Sequence, residues 1–372
     1  MKLTHRSSIV LCIVGLAYLS GCAITPKKKE EGPLVWPAPP GKPRIKYIGQ
    51  LRKRSDVGEQ KKEASVQIMD ALLGSNKSSK SSDVLVKPYG VYSNGKGRIY
   101  VADSATGKIA LFNKPEKKFE VIGRSGPGQL TKAMGVVGDK SGNIYVTDAR
   151  IRRIVVFNPK GQVINTMGGQ DVFVKPVGIA LDEERSRIYV ADSYQHQIIA
   201  LDMKGKILFR IGRSRKAGKY HNGNADSAWN RGYNPGQFRF PTTIAVGKDG
   251  RLIVVDSMNF RIQIFDHSGK FIKKFGSLGD GYGKFARPKG VAVDSQGNIY
   301  VSDAGFNNVQ IFGPSGKLLL FFGSTGMGRG EFWLPSGMFI DDSDMIYISD
   351  QYNHRVQIFQ LIREKRAVSQ SK

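Results

Sequence analysis

The chain has 372 residues, with 57 Lys and Arg against 31 Asp and Glu, and a formal net charge of +26. A chain of this length can bury a large core. Its only cysteines, Cys12 and Cys22, exclude a disulfide-rich scaffold and a cysteine-ligated metal cluster. The basic charge predicts anionic neighbours such as lipid headgroups, acidic polysaccharide or an acidic protein.

Residues 1–21 are predicted to be a signal peptide. Lys2 and Arg6 precede an apolar run, residues 9–18, that is too short to span a bilayer as a mature helix. Residues 19–22 read Leu-Ser-Gly-Cys and resemble the lipobox of bacterial lipoproteins. That resemblance implies cleavage before Cys22 and lipidation of its side chain. An ordinary signal peptide with a chance cysteine is the alternative.

A lipidated Cys22 would anchor the protein in the cell envelope, because several acyl chains on one residue give lasting attachment. Ala23 is not the aspartate associated with inner-membrane retention, so we expect the outer membrane. In that compartment we expect no nucleic-acid partner. Residues 22–43 contain a lysine run and six prolines, which is typical of a solvated, semi-extended tether.

Two elements are predicted between the tether and the rest of the chain. Residues 44–51 have the apolar pattern of a strand. Residues 58–74 place Val66, Met69 and Leu72 at helical spacing, which predicts one short accessory helix packed on the fold. Docking of this helix to a partner is the alternative.

Residues 84–362 repeat one sequence pattern six times. Each copy leads from P-x-G-V/I, or a variant of it, to I-Y-V-x-D and then to R/N-V/I-x-x-F. The apolar runs are β-branched and aromatic, and Gly, Asn, Asp and Pro separate them into four short strands per copy. A period of this length with four strands predicts a propeller blade. The aspartates that close the second strand are predicted to cap turns and not to catalyse: Asp103, Asp148, Asp192, Asp256, Asp303 and Asp350.

Six copies predict an all-β fold, a six-bladed β-propeller of four-stranded blades. The sixth copy lacks a fourth strand and runs into a charged tail, residues 363–372. An open ring would leave sheet edges exposed. Because residues 44–51 have the missing pattern, we expect them to close the ring as the outer strand of the last blade.

The repeats, from residue 88 to about residue 359, closely resemble NHL repeats. The second copy departs from the pattern with Ala133-Met134 in place of the proline, and the fourth has Thr243 in place of the glycine. The resemblance implies an NHL-type propeller that serves as a binding platform and seldom catalyses. Similar lipoproteins are associated with multihaem cytochrome and secretion systems, so a cytochrome or its assembly machinery is one implied partner.

Strand directions alternate within a blade, so the loop after the second strand and the connection between blades emerge on one face. The longest connection lies between the third and fourth copies and combines basic and aromatic residues, which is typical of a binding surface. A solvated loop is the alternative. The predicted binding residues of this face are Arg152, Tyr194, His196, Arg213, Arg215, Lys216, Lys219, Tyr220, His221, Trp229, Arg231, Tyr233, Phe260, Tyr352 and His354.

A metal site is the other hypothesis for this face. Amidating lyases related to this fold bind zinc through histidines on such loops, which makes His196, His221 and His354 candidate ligands. Zinc catalysis usually needs three protein ligands, and only two of these histidines occupy equivalent positions. We therefore predict no cofactor and no catalytic residue. The favoured function is a monomeric scaffold for a protein partner or an anionic polysaccharide, and the alternative is a metal-dependent lyase or hydrolase.

Overall fold

The computed structural model describes residues 32–58, 83–212 and 232–363. From Pro33 onward the chain forms a compact unit. Within the described ranges the helical segments are three short 3-10 turns, Arg54–Val57, Ser193–Gln195 and Ser257–Asn259. None of the helices in these ranges is long and apolar enough to cross a membrane. The signal peptide with Cys22, the accessory helix predicted after Gly58 and most of the charged tail fall outside the described residues.

Five blades are four-stranded antiparallel sheets whose strands follow one another along the chain. The strands of blade 1 are β3 (Pro88–Ser93), β4 (Arg98–Asp103), β5 (Lys108–Asn113) and β6 (Lys118–Ile122). Those of blade 2 are β7 (Ala133–Gly138), β8 (Ile144–Asp148), β9 (Arg153–Phe157) and β10 (Val163–Gly168). Those of blade 3 are β11 (Pro176–Asp182), β12 (Arg187–Asp192), β13 (Gln197–Asp202) and β14 (Ile207–Ile211).

Blades 4 and 5 follow the same order. The strands of blade 4 are β15 (Pro241–Val246), β16 (Leu252–Asp256), β17 (Arg261–Phe265) and β18 (Phe271–Phe275). Those of blade 5 are β19 (Pro288–Val293), β20 (Ile299–Asp303), β21 (Asn308–Phe312) and β22 (Leu318–Phe322). A short parallel pair, β23 (Ser324–Thr325) and β24 (Glu331–Phe332), lies in the connection to blade 6.

The sixth blade is built from both ends of the described chain. Its inner strands are β25 (Pro335–Ile340), β26 (Met345–Asp350) and β27 (Arg355–Leu361). Its fourth strand is β2 (Ile45–Leu51), which pairs antiparallel with β27, and β1 (Val35–Trp36) adds a fifth strand outside β2. The pairing confirms the predicted closure by an N-terminal strand and covers the edge that β27 would otherwise expose.

The core lies between neighbouring blades. Alternation along each strand turns one set of side chains toward each adjacent sheet. Between blades 3 and 4, for example, Tyr189 and Ile198 pack with Val254 and Phe265, and all four have no exposed surface. Burying apolar area of this kind stabilises the fold by about 25 cal/mol per Å². Each blade therefore depends on both of its neighbours.

Glycines bring the innermost strands close together around the axis. A Cβ at Gly290 would lie 2.2 Å from the Ser336 carbonyl oxygen, so no side chain fits there. The same contact with the next blade recurs, with Cβ-to-oxygen distances of 2.4 to 2.6 Å, at Gly90, Gly135, Gly178 and Gly337. Blade 4 has Thr243 instead, and its hydroxyl donates to the Lys289 carbonyl at 2.6 Å. The departure from the repeat pattern thus replaces a close contact with a hydrogen bond.

The closing aspartates of the repeats bind backbone at the start of their own blade. The Asp103 carboxylate accepts hydrogen bonds from the N–H groups of Val86 and Lys87, at 2.6 and 3.1 Å. It also accepts bonds from the N–H groups of Ala105 and Thr106 in the following turn. Asp148 and Asp303 repeat this arrangement. These bonds confirm the predicted turn-capping role of the three aspartates.

Candidate functional site

The two faces of the disc differ in chemistry. We call the face that carries the loops after the second strands and the connections between blades the loop face. Within the described residues, large hydrophobic side chains that are exposed lie on the loop face or on strands near the blade rims, and the loops of the opposite face have none. On the loop face they are Val84, Val86, Tyr194, Tyr233, Met258, Leu278, Tyr282, Met327, Trp333 and Tyr352.

The first aromatic patch of the loop face lies where blade 3 meets blade 4. Tyr194, in the turn after β12, is 39% exposed and packs edge-on against Phe240 with ring centroids 5.7 Å apart. Lys175 places its Nζ 4.0 Å above the Tyr194 ring, an arrangement that a cation–π attraction favours. The patch thus presents an aromatic ring with a cation on its face.

A second patch of the same composition lies where blade 6 meets blade 1. Tyr352, at the position equivalent to Tyr194, is 45% exposed. The Lys87 Nζ lies 5.3 Å from its ring centroid, and the 47%-exposed Trp333 packs beside it with ring centroids 6.2 Å apart. Blades 3 and 6 are opposite in a six-bladed ring, so the two patches flank the axis.

The described end of the long insertion is fixed by a buried arginine. Arg261 donates from Nε to Asp256 at 2.8 Å and from its other nitrogens to the carbonyl oxygens of Tyr233, Asn234 and Gln237. The Tyr233 backbone is therefore held, while its side chain is 65% exposed and its hydroxyl contacts Arg239. The other predicted residues of the insertion, and the candidate ligand His221 among them, lie outside the described residues.

The residue four places after each closing aspartate has a left-handed backbone, with φ from 52° to 68°. This position is occupied in chain order by Gly107, Arg152, His196, Phe260, Asn307 and His354. Such a conformation is uncommon outside glycine. Its recurrence marks a structural turn, and three of its side chains bridge to the next blade.

The bridging contacts explain the two histidines among these residues. His196 has no exposed surface, and its Nδ1 accepts a hydrogen bond from the Phe240 N–H at 3.0 Å. Asn307 accepts an equivalent bond from the Leu334 N–H at 2.8 Å. His354 hydrogen-bonds through Nδ1 to the Val86 carbonyl. Across residues 32–58, 83–212 and 232–363, no three His, Cys, Asp or Glu side chains form a group that could hold a metal ion.

The other described candidates are divided between surface and core. Phe260 is partly buried and packs against the core between blades 4 and 5. Arg152 is partly buried in the turn after β8. The predicted residues that the structure describes as exposed on the loop face are Tyr194, Tyr233, Tyr352 and His354.

A group of cations near the axis was not predicted from the sequence. The first residue of the innermost strand, such as Pro176 or Pro288, pairs with the closing aspartate of its blade. The residue that precedes it therefore occupies an equivalent position in each blade, at the same height along the propeller axis. Four of these six positions are basic: Lys87, Lys132, Lys175 and Arg287. Lys289 adds a fifth cation on β19. The signal that could have revealed them is a lysine or arginine immediately before the first residue of the repeat.

Lys289 occupies a desolvated, positively charged environment. Burial, with Arg287 and Lys175 nearby, lowers the pKa of its ammonium group to about 8. Tyr89, on the innermost strand of blade 1, lines the axial cavity. Burial raises the pKa of its phenol above the ordinary tyrosine value. We call the group of Lys175, Arg287, Lys289, Lys87 and Tyr89 the axial mouth.

Comparison with known proteins agrees with this architecture. Residues 241–305 match a family model described as a 6-bladed beta-propeller. Over 101 residues the chain is 30% identical to NHL repeat-containing protein 2 of Bos taurus, and over 113 residues it is 32% identical to Protein brain tumor of Drosophila melanogaster. The chain is an NHL-repeat six-bladed β-propeller.

The NHL propeller shares only part of its sequence with these relatives. The matches cover 27% and 30% of the chain, and 13% and 9% of the cattle and fly proteins. The alignments thus span a small fraction of the relatives' own lengths. The alignments show that the repeats are similar, and they do not extend to the activity or partners of the whole relatives.

Solved structures support the fold of the NHL propeller. A structural genomics protein of unknown function from Bacteroides thetaiotaomicron is 15% identical, with a TM-score of 0.58 over 76% of this chain and 71% of that one. A streptogramin B lyase is 14% identical, with a TM-score of 0.54 over 75% of this chain and 94% of the lyase. At these identities the likeness concerns the fold alone.

Proposed function

We propose that the protein is a lipid-anchored envelope scaffold whose loop face binds a protein partner with an acidic surface, or an anionic polymer. The observation that carries the proposal is the one-sided distribution of exposed aromatic and apolar side chains. A rigid disc that exposes Tyr and Trp on one face, beside lysines, offers the residue types that dominate binding hot spots. The repeat type supports this reading, since NHL propellers as a class serve protein binding.

The basic charge favours anionic partners on the same face. Lys87 and Lys175 sit over Tyr352 and Tyr194, so each patch can offer a cation and an aromatic ring to one partner group. Among partner classes, we propose a multihaem cytochrome or its assembly machinery, on the resemblance to lipoproteins associated with such systems. The metal-dependent lyase alternative has no described ligand group to support it.

Variants of the two patches test the binding proposal. We expect Tyr194→Ala combined with Tyr352→Ala to abolish in-cell cross-linking to the partner that the native protein captures at high salt. The matched control is Ile164→Ala combined with Ile272→Ala, which removes exposed side chains, 54% and 44% exposed, from the blade rims. Equal capture by both double variants would contradict binding through the loop face. Capture lost at high salt by the native protein would indicate a polyanion instead.

The membrane anchor has a separate test. Lipidation of Cys22 predicts that Cys22→Ser moves the protein from the membrane fraction to the soluble fraction of the envelope. Metabolic labelling with a radioactive fatty acid should mark the native chain and not the variant. An unlabelled native chain would refute the anchor and leave the binding proposal intact.

A further inference from the structure

The axial mouth concentrates cations that have no carboxylate partner. Within the described part of the chain, no Asp or Glu oxygen lies within ion-pair distance of Lys87, Lys175, Arg287 or Lys289. The closing aspartates Asp103, Asp192 and Asp303 accept hydrogen bonds from the backbone N–H groups of Lys87, Lys175 and Arg287, and not from their side chains. The charge of the mouth is therefore not balanced within the fold.

We propose that the axial mouth is a binding site for a small phosphate-type oxyanion, held by Lys289 and Arg287 of blade 5 with Lys175 of blade 3. An oxyanion that enters from the loop face would replace the missing counter-charge. Bonds between ionised donors and phosphate oxygens are among the stronger hydrogen bonds of proteins. Because the mouth offers several cations, a doubly charged anion is favoured over a singly charged one.

The backbone of Lys289 is held by two hydroxyl groups, whereas the equivalent Tyr89 carbonyl oxygen accepts from one, that of Ser336 at 3.2 Å. The Lys289 carbonyl oxygen accepts hydrogen bonds from both the Thr242 and the Thr243 hydroxyls, at 2.8 and 2.6 Å. Thr243 stands where the other repeats have glycine. The one departure from the glycine pattern thus lies directly against the lysine of the mouth. A fixed backbone reduces the conformational entropy that ligand binding would cost.

The mouth also offers a neutral donor. Tyr89 lines the axial cavity together with innermost-strand residues of the other blades. Its hydroxyl is protonated at neutral pH, as that of any tyrosine is, and burial raises the pKa of the phenol further. A protonated hydroxyl can donate a hydrogen bond to an oxyanion. The mouth therefore combines ammonium, guanidinium and phenol donors.

This inference does not depend on the proposed docking of a partner. The docking proposal is tested at the exposed rings Tyr194 and Tyr352, beside which Lys175 and Lys87 lie, whereas the anion site is tested at Lys289 and Arg287. The phosphate group could belong to the free ion or to a monoester on a larger molecule. Titrations with inorganic phosphate and with glycerol 3-phosphate distinguish these two sources.

Isothermal titration of the full chain with inorganic phosphate tests the site. We expect saturable binding, weaker by about 10-fold or more in Lys289→Met and in Arg287→Met, since a hydrogen bond to a charged group is lost in each. Acetate should bind at least about 10-fold more weakly than phosphate, because it carries one charge. Binding of glycerol 3-phosphate as well would extend the site to phosphomonoesters, whereas phosphate binding alone would restrict it to the free ion.

Lys248→Met is the matched control. Lys248 is exposed on the loop between β15 and β16, on the opposite face, so its removal changes the net charge by the same amount without touching the mouth. We expect this control to bind phosphate as the native chain does. Arg287 is exposed, which makes its variant a safeguard in case Lys289→Met does not fold. No saturable phosphate binding, or equal weakening by all three substitutions, would overturn the proposal.

Discussion

At the scale of single residues, the axis of the propeller is unusual in its electrostatics. Buried lysines normally lie beside a carboxylate, because desolvation disfavours an isolated ammonium ion. Lys289 instead has Arg287 and Lys175 as its charged neighbours. Repulsion and desolvation act in the same direction, so both favour the neutral amine. A residue of this kind is a candidate for function because it makes no evident contribution to stability.

The first prediction concerns the protonation of Lys289. Its pKa is lowered to about 8, so a large part of its amine is neutral at pH 8, while ordinary lysines remain protonated. Competitive acylation followed by mass spectrometry should give Lys289 a reactivity midpoint near pH 8. Lys248 on the opposite face serves as the reference. A Lys289 midpoint that coincides with that of Lys248 would contradict the environment described for the mouth.

The same shift has a consequence for stability with a definite sign. The folded-state pKa of Lys289 lies below that of an unfolded lysine, so protonation opposes folding. The cost is fully present below about pH 8 and is relieved as pH rises toward the unfolded pKa of about 10.4. The stability gained by Lys289→Met over the native chain should therefore shrink between those two pH values.

At the scale of elements, β2 joins the two ends of the ring. Ile45 has no exposed surface and packs in the core between blades 5 and 6. Leu51, at the other end of the strand, packs in the core between blades 6 and 1. One strand thus contributes to both interfaces of the last blade, which is why closure matters for the whole disc.

The second prediction compares two isoleucines of β2. Ile45→Ala should destabilise the fold by about 2–5 kcal/mol, the usual cost of truncating a fully buried aliphatic side chain. Ile48→Ala should change the free energy of unfolding by about 0.5 kcal/mol or less, because Ile48 is 43% exposed. Urea unfolding of both variants measures the difference. Equal losses would mean that β2 does not pack as described.

Deleting residues 44–51 is the stronger form of the same experiment. Without β2 the outer edge of β27 is unpaired, and both cores of blade 6 lose their contribution from the strand. Loss of cooperative unfolding is the expected result. A deletion variant that unfolds like the native chain would refute the role of β2 in closure.

At the scale of the whole molecule, the sequence predicts the strands and the closure of the ring by residues 44–51. It predicts only some of the residues that the loop face exposes. The repeat pattern predicts the strands because each blade is a local unit of alternating apolar residues. The axial mouth is assembled from residues of blades 1, 3 and 5, so Lys175 acts electrostatically on Lys289 although the two are far apart in sequence. His196 was a candidate metal ligand on residue type alone. In the structure its left-handed turn buries its side chain against Phe240.

The repeated architecture explains why one face can differ from the other. Turns of the opposite face are short and polar, and Asp294 and Asp341 hold their own loops by hydrogen bonds. The loop face contains the connections between blades, which vary in length and composition without disturbing the sheets. Aromatic side chains can be exposed there because substitutions in these connections leave the cores between blades unaltered.

Site-specific photo-cross-linking on both faces tests the central claim most directly. A photoreactive amino acid would replace Tyr352 on the loop face or the exposed Gln296 on the opposite face, each in the full-length protein within cells. Binding through the loop face predicts that the residue at 352 forms a defined cross-linked species and that the residue at 296 forms none. The same species formed from position 296, with none from position 352, would contradict the account.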